Sequence, residues 1–398
     1  MNYWQSLLLV ALLPLASCTE DKPLIDIEPF PRGPLAVGST NMEVADAFAG
    51  VGDDVMHNIL IGQPGEDGPF VSDIMRYPDS AWVVNVDVPK DPAVYGPTAG
   101  TRVPVSLFIT YPSAAIDTPA GYAFPYQDAQ NGEFEHMLAA GEAPAFADAD
   151  TRYPLIIQAH GYSAHGIYDV GHAHKLSRHG YIVAVLFYGD LRSATPNTIN
   201  HHTAFLRTLM TRAALDAILD SAAFGDRIDT DNIGISGHSF GGYTGLAIAG
   251  ARYLDNAATV HDERIKASVI AAPWVGHVQD GEDFFAFGDQ NRGLERVSSP
   301  VLSFFGTRDE ATTAEFILPA MRHLSGPTYV VELVDQPHVF DAGSWEDRDN
   351  WELLFFNAYL KSDDAALAAL AAGRSMKGGN IDRQRFEFQQ LPASSAAP

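Results

Sequence analysis

The amino-acid sequence predicts an α/β protein with a mostly parallel central sheet and helices on both faces. Three observations lead there. From residue 153 onward, apolar runs of strand length alternate with stretches of helical length, the order expected of a parallel sheet. Within that region, residues 232–245 read N-I-G-I-S-G-H-S-F-G-G-Y-T-G, a buried strand that passes through a glycine turn into a small-residue helix. The chain has 398 residues, 46% of them hydrophobic, which is enough for a large buried core and excludes a mainly disordered protein.

In chain order, the apolar run at 7–15, interrupted only by Pro14, is too short to span a bilayer as a stable helix. Residues 1–17 therefore read as a signal peptide. Residues 18–80 are rich in Gly, Pro, Asp and Glu, with little periodicity, and are expected to form a tether and an irregular extension on the domain edge. Alternating strands are predicted at 81–88 (A-W-V-V-N-V-D-V) and 103–111 (V-P-V-S-L-F-I-T-Y). A Pro-, Ala- and acid-rich insertion follows at 113–151, with a short helix expected at 134–140.

The regular part then runs through strands at 155–159, 181–188, 232–236, 265–271, 301–305 and 328–334. Helices are predicted at 168–179, ended by Gly180, and at 203–223, directly after Ser239, at 312–324 and at 345–361. A shorter Ala/Leu helix follows Ser362. The catalytic domain is placed at 81–373, and the remaining residues, 374–398, read as a polar, loose tail. No internal repeat is seen. In an open sheet of this kind, ligands bind beyond the carboxyl ends of the strands.

The net charge is −25 and no basic cluster occurs, so nucleic acid is not an expected partner, since phosphate binding needs Lys and Arg. The acidity serves solubility and carries no information on the fold.

The segment Gly237-His238-Ser239-Phe240-Gly241 fits the G-x-S-x-G nucleophile elbow. Glycines flank the serine because a Cβ in so tight a turn would strike the neighbouring strand or helix. Ser239 would then sit on a strained tip near a helix N-terminus, facing a cleft. An α/β-hydrolase orders its triad as nucleophile, acid, histidine. The strand at 301–305 ends in G-T-R-D, which nominates Asp309, with Glu310 as the nearest rival. The next strand is followed by D-Q-P-H-V-F, which nominates His338 as the base; His323 falls within a predicted helix.

A serine hydroxyl is scarcely ionised at neutral pH, so an imidazole must take its proton and later return it to the leaving group. Asp309 would orient that imidazole. The oxyanion would be met by the backbone N–H of Phe240 and by one from His160-Gly161-Tyr162-Ser163, with Tyr162 the expected donor.

The stretch 153–361 resembles the dienelactone hydrolase and platelet-activating-factor acetylhydrolase branch of the α/β-hydrolases, and within it the bacterial cutinases and polyester hydrolases. Their G-Y-[ST]-A loop matches 161–164, their L-x-x-H-G-[FY]-x-V matches 176–183, their G-[HW]-S-[MF]-G-G matches 237–242, and their A-P-W matches 272–274. The resemblance implies the α/β-hydrolase fold, a serine esterase without cofactor, and an acyl group flanked by Tyr162 and Trp274. It departs from the family in three ways. The extension before 153 is longer, Q-P-H-V-F surrounds the histidine, and the C-terminal disulfide of the cutinases cannot form with Cys18 as the only cysteine. A general ester hydrolase is implied rather than polymer degradation.

Leu15-Ala16-Ser17-Cys18 resembles the lipobox of bacterial lipoproteins, although the n-region lacks Lys and Arg. It implies cleavage before Cys18 and a lipid anchor in the cell envelope, at the outer membrane in a Gram-negative cell; a secreted protein is the alternative. Histidines are dense at 160–179, and His172-x-His174 is a candidate zinc pair. No acid or cysteine at ligand spacing completes it, so no metal is expected, and these histidines are assigned to loop and helix-surface positions. The acidic stretch 280–289 lacks the EF-hand pattern and is read as a pocket wall carrying Phe284, Phe285 and Phe287. Two other functions fit the same residues: a peptidase or amidase with this triad, and a non-catalytic surface lipoprotein on an esterase scaffold.

Overall fold

The computed structural model describes residues 24–62, 70–76, 82–114, 134–139, 141–189, 201–253 and 261–390. The expected signal segment 1–17 and the Cys18 anchor lie outside these residues. The first strands are β1 (Ile25–Ile27), β2 (Ala36–Ser39), β3 (Trp82–Asp87), β4 (Arg102–Ser113), β5 (His136–Met137), β6 (Tyr153–Ala159), β7 (Ile182–Phe187) and β8 (Ile228–His238). Then come β9 (Ile265–Ala271), β10 (Gly276–Gln279), β11 (Glu282–Phe285), β12 (Val301–Gly306), β13 (Thr328–Leu333), β14 (Gly373–Met376) and β15 (Asp382–Gln384). The helices are α1 (Asp53–Leu60), α2 (Val71–Ile74), α3 (Pro92–Tyr95), α4 (Val170–Arg178) and α5 (His201–Leu219). They continue with α6 (Phe240–Ile248), α7 (Ala314–Met321), α8 (Ala342–Leu360) and α9 (Asp364–Ala372).

Eleven of these strands form one sheet in the order β15-β13-β12-β9-β8-β6-β7-β4-β2-β5, with β3 also paired to β4. From β13 to β7 every neighbour is parallel. Antiparallel β15 closes one flank and antiparallel β4 begins the other. The molecule is thus an α/β protein with a mostly parallel sheet flanked by helices, as its strand–helix alternation predicts.

Side chains of a strand alternate between faces. Leu155 and Ile157 of β6 join Met210, Leu215 and Ile218 of α5 in one core layer, while Ile156 joins Leu176 of α4 and Leu354 and Phe355 of α8 in the other. With both faces covered, the central strands can be apolar throughout, as Ile182–Phe187 is. No described helix is long and apolar enough to cross a membrane.

Three expectations need correction. The stretch expected as an irregular extension contributes β2 to the sheet, where it pairs with the far end of β4. It also contributes α1, whose Met56, Ile59 and Leu60 are spaced to share one helix face and are buried. Gly38 of β2 lies so close over the Tyr111 ring that a Cβ would overlap it, so a residue that looks like loop composition is required by packing. The helix expected at 134–140 is instead the two-residue strand β5, held by backbone pairing to β2, with Phe134 edge-on to Phe108 at 5.7 Å.

The tail expected to be loose is built into the core up to residue 390. β14 pairs with β1, and β15 pairs with β13. Asp382 fixes this end: its carboxylate accepts the Trp351 indole N–H at 2.6 Å and the Met376 backbone N–H at 3.1 Å. Trp351 and Asp382 are both buried. Asp382→Ala leaves two buried donors without acceptors and is expected to lower the unfolding free energy by about 3 kcal/mol in urea titration. A loose tail would give no change.

Candidate active site

Ser239 follows the last residue of β8 and precedes the first of α6, with φ 56° and ψ −116°. A left-handed conformation is costly for a non-glycine residue and persists only where its surroundings enforce it. Here they do. The Ser239 N–H donates to the Ala271 carbonyl at 2.8 Å, and its own carbonyl accepts from Tyr243 and Trp274 N–H groups at 3.1 and 3.0 Å. The flanking glycines are obligatory: a Cβ on Gly241 would overlap the Ala159 carbonyl, and one on Gly237 would overlap Gly241 itself.

The three residues nominated as a triad come together. The Ser239 Oγ lies 2.9 Å from His338 Nε2, and His338 Nδ1 lies 2.9 Å from Asp309 Oδ2. With Asp309 ionised, Nδ1–H donates to it and Nε2 is left to accept the serine proton. Asp309 Oδ1 accepts the N–H groups of Ala311 and Thr312 at 2.8 Å each, and the Thr312 hydroxyl lies 2.7 Å from Oδ2. Burial opposes ionisation of this carboxyl, but the hydrogen bonds from His338 and Thr312 outweigh it and hold Asp309 below the usual carboxylate range. The acid and base loops are also tied directly, through Arg308 N–H to the Gln336 carbonyl at 2.9 Å and Asp335 N–H to Thr307 Oγ1 at 2.8 Å. The rival Glu310 forms no part of this constellation, and His323 lies away from it, 3.6 Å from Glu295.

Thr312 and two further residues join the site beyond those the sequence nominates. His238 Nε2 is 2.8 Å from the His338 carbonyl, an atom that can only accept, so Nε2 carries the proton. Burial, and then the neighbouring His338 ring, push His238 down to about 3, which keeps it neutral in that role. The residue before the nucleophile therefore holds the backbone of the base. Its signal was present as the H in G-H-S, but hydrogen bonding to a residue 100 positions away has no local signature.

The second residue is Arg207 of α5. It is fully buried and donates to the carbonyl oxygens of His160 and Gly161 at 2.5 and 3.0 Å. Its guanidinium lies 4.8 Å from the centroid of the Phe240 ring. It thus fixes the loop after β6 against the residue that follows the nucleophile. Phe240 is the first residue of α6, so its N–H has no acceptor within the helix. Tyr162 borders the same cavity as Ser239, and Phe240 follows Ser239 directly.

That cavity measures about 470 Å³ and is bordered by the loop 160–165, Tyr168, Asp169, Trp345, Arg348 and Asp349, besides Ser239, His238 and His338. Trp274, expected beside the acyl group, is 6% exposed and packs within an aromatic cluster, 5.7 Å from Phe240, 5.5 Å from Tyr243 and 5.8 Å from Phe284. Its backbone N–H donates to the Ser239 carbonyl at 3.0 Å, which ties it to the elbow. The stretch 280–289 contributes the turn and β11 of the β10–β11 hairpin, and its Phe284 stacks on that tryptophan.

The histidines assigned to surface positions are corrected: His160, His165, His172 and His174 are buried. His172 and His174 do not converge. His172 is flanked by Asp349 and Glu352 of α8 at 2.5 and 3.0 Å, whereas His174 meets the Phe134 ring at 5.3 Å. Among the described residues, no group of three His, Cys, Asp or Glu could hold a metal ion. Burial works against protonation of His172, but the two carboxylates outweigh it and raise it to about 9. The acids that satisfy this imidazole come from far along the chain, which is why spacing around 172 missed them.

No protein-family model matches the chain, and no curated protein matches it.

Two outcomes are expected. His238→Phe keeps a ring but removes the donor to the base loop; kcat should fall roughly 10–100-fold with KM little changed, and His238→Gln should recover part of it. Equal losses in both variants would refute the positioning role. For His172, a folded-state value raised to about 9 means stabilisation that is complete below ~6.5 and disappears as pH rises through about 9. Denaturant midpoints across pH 6–10 should therefore decline more in the wild type than in His172→Gln.

Proposed function

We propose that the chain is a serine carboxylic ester hydrolase of the α/β-hydrolase fold. The observation that carries this is the continuous relay Ser239–His338–Asp309, with both links at 2.9 Å. His338 Nε2 takes the hydroxyl proton as Ser239 Oγ attacks the ester carbonyl. The resulting imidazolium is stabilised by ionised Asp309, which does not itself take the proton. The negative oxygen of the tetrahedral intermediate is met by the N–H of Phe240, strengthened by its place at the start of α6, and by that of Tyr162. His338 then protonates the leaving alcohol as the C–O bond breaks, which leaves an acyl-enzyme. A water enters, gives its proton to His338 and attacks the acyl carbonyl. Return of that proton to Ser239 Oγ releases the acid.

Preorganisation supports this assignment over an incidental contact. The strained φ of Ser239, the buried Arg207 under the oxyanion loop, and the ties between the loops of Asp309 and His338 all hold polar groups in fixed directions. Small aliphatic or aromatic esters suit a cavity of about 470 Å³. The proposal includes lipidation at Cys18 and attachment to the cell envelope, supported by the L-A-S-C sequence after an apolar run.

Turnover of 4-nitrophenyl acetate is the direct test. Ser239→Ala should abolish it, by about 10⁴-fold or more, and Asp309→Asn should reduce it by about 10³-fold with KM little changed. Undiminished turnover in the serine variant would overturn the assignment. Faster cleavage of a matched nitroanilide than of the ester would replace it with an amidase.

A further inference from the structure

The end of the catalytic cavity away from the nucleophile is charged, and the charges there are of two kinds. Most are matched within the chain. His172 lies between Asp349 and Glu352, Arg348 reaches Glu352 at 3.0 Å and Ser236 Oγ at 2.8 Å, and Lys175 reaches Asp349 at 2.5 Å. Asp169 is different. It borders the same cavity and stands at the N-cap of α4, yet its carboxylate makes no capping bond to that helix. Among the described residues it has no hydrogen-bond or salt-bridge partner of any kind.

Asp169 is half-buried, and burial raises it to about 6 against the opposing pull of the Arg348 and His172 charges. An ionised carboxylate with unused acceptor sites inside a cavity is costly unless something supplies donors there. Tyr168, its neighbour in sequence, also borders the cavity and is 44% exposed, with its ring stacked on His165 at 4.4 Å. A carboxylate beside an aromatic ring is the chemistry that receives an organic cation. The surrounding charge of the chain, −25 overall, favours the approach of such a group.

We propose that Asp169 selects among ester substrates by accepting a hydrogen bond from an ammonium group carried on the ester, with Tyr168 alongside it. This rests on the ester-hydrolase assignment and adds a substrate class to it. Arg348 and His172 oppose the cation less than bare charges would, because Glu352 pairs with both and Asp349 pairs with His172.

The test compares kcat/KM for isosteric pairs with the purified protein. One pair places the charge on the acyl side, 4-nitrophenyl 6-aminohexanoate against 4-nitrophenyl heptanoate. The other places it on the alcohol side, 6-aminohexyl acetate against heptyl acetate. In at least one pair the amine should be preferred by about tenfold or more, the effect of a charge-assisted hydrogen bond. Asp169→Asn should bring that ratio close to one. Hexylammonium should also inhibit 4-nitrophenyl acetate hydrolysis by the wild type about tenfold more tightly than 1-hexanol, a measurement that needs no variant. Absence of preference in both pairs, or a preference that survives Asp169→Asn, or equal inhibition by amine and alcohol, would overturn this inference and leave the hydrolase standing. A wild type that cleaves none of these esters, 4-nitrophenyl acetate included, would instead overturn the hydrolase assignment beneath it.

Discussion

A serine held at φ 56°, where a buried strand passes into a buried helix, is the constraint around which the rest of this structure is arranged. The turn is possible only because the strand before it and the helix after it approach more closely than side chains allow. Gly237 and Gly241 supply that closeness against each other and against the carbonyl of Ala159. In return, backbone hydrogen bonds to Ala271 and from Tyr243 and Trp274 over-determine the serine, so its strain is distributed among neighbours that cannot relax independently. Phe240, the next residue, is packed into an aromatic cluster with Tyr243 and Trp274, on which Phe284 stacks.

The parallel part of the sheet converts this local constraint into a site. Because β6, β8, β12 and β13 run in one direction, the segments that follow them leave the sheet at the same edge. Tyr162 follows β6, Ser239 follows β8, Asp309 follows β12 and His338 follows β13. Four residues spread over 177 positions, 162 to 338 inclusive, thereby face one another without any long loop reaching across the molecule. An antiparallel arrangement of the same strands would have sent half of them to the opposite edge.

What stiffens the site is buried polarity. Thr312, His238 and Arg207 each lie where an unpaired polar group would cost more than its hydrogen bond returns, and each is paired to a group of the Ser239 site. The His172–Asp349–Glu352–Arg348 cluster does the same for the far wall, locking α4 to α8 through charges that cancel. Asp169 stands apart because, among the described residues, no hydrogen bond or salt bridge completes it.

Much of this could be read in the amino-acid sequence, and the reason is locality. Strand–helix alternation, the apolar strand cores, the glycine-flanked serine and the polar residues just past strand ends are all determined by interactions among near neighbours. Those are what identified Ser239, Asp309 and His338. The tertiary structure alone decided whatever depended on distant partners. Residues 36–39 and 382–384 have the composition of loops and become strands because an existing sheet edge offers them hydrogen bonds. Trp274 is enclosed by Phe240, Tyr243 and Phe284, which reach it from other elements. The histidines at 160–174 are buried because their acceptors, their carboxylates and their aromatic neighbours arrive from other elements. Burial of a polar group is set by partners that may lie hundreds of residues away, and no pattern within its own segment records them.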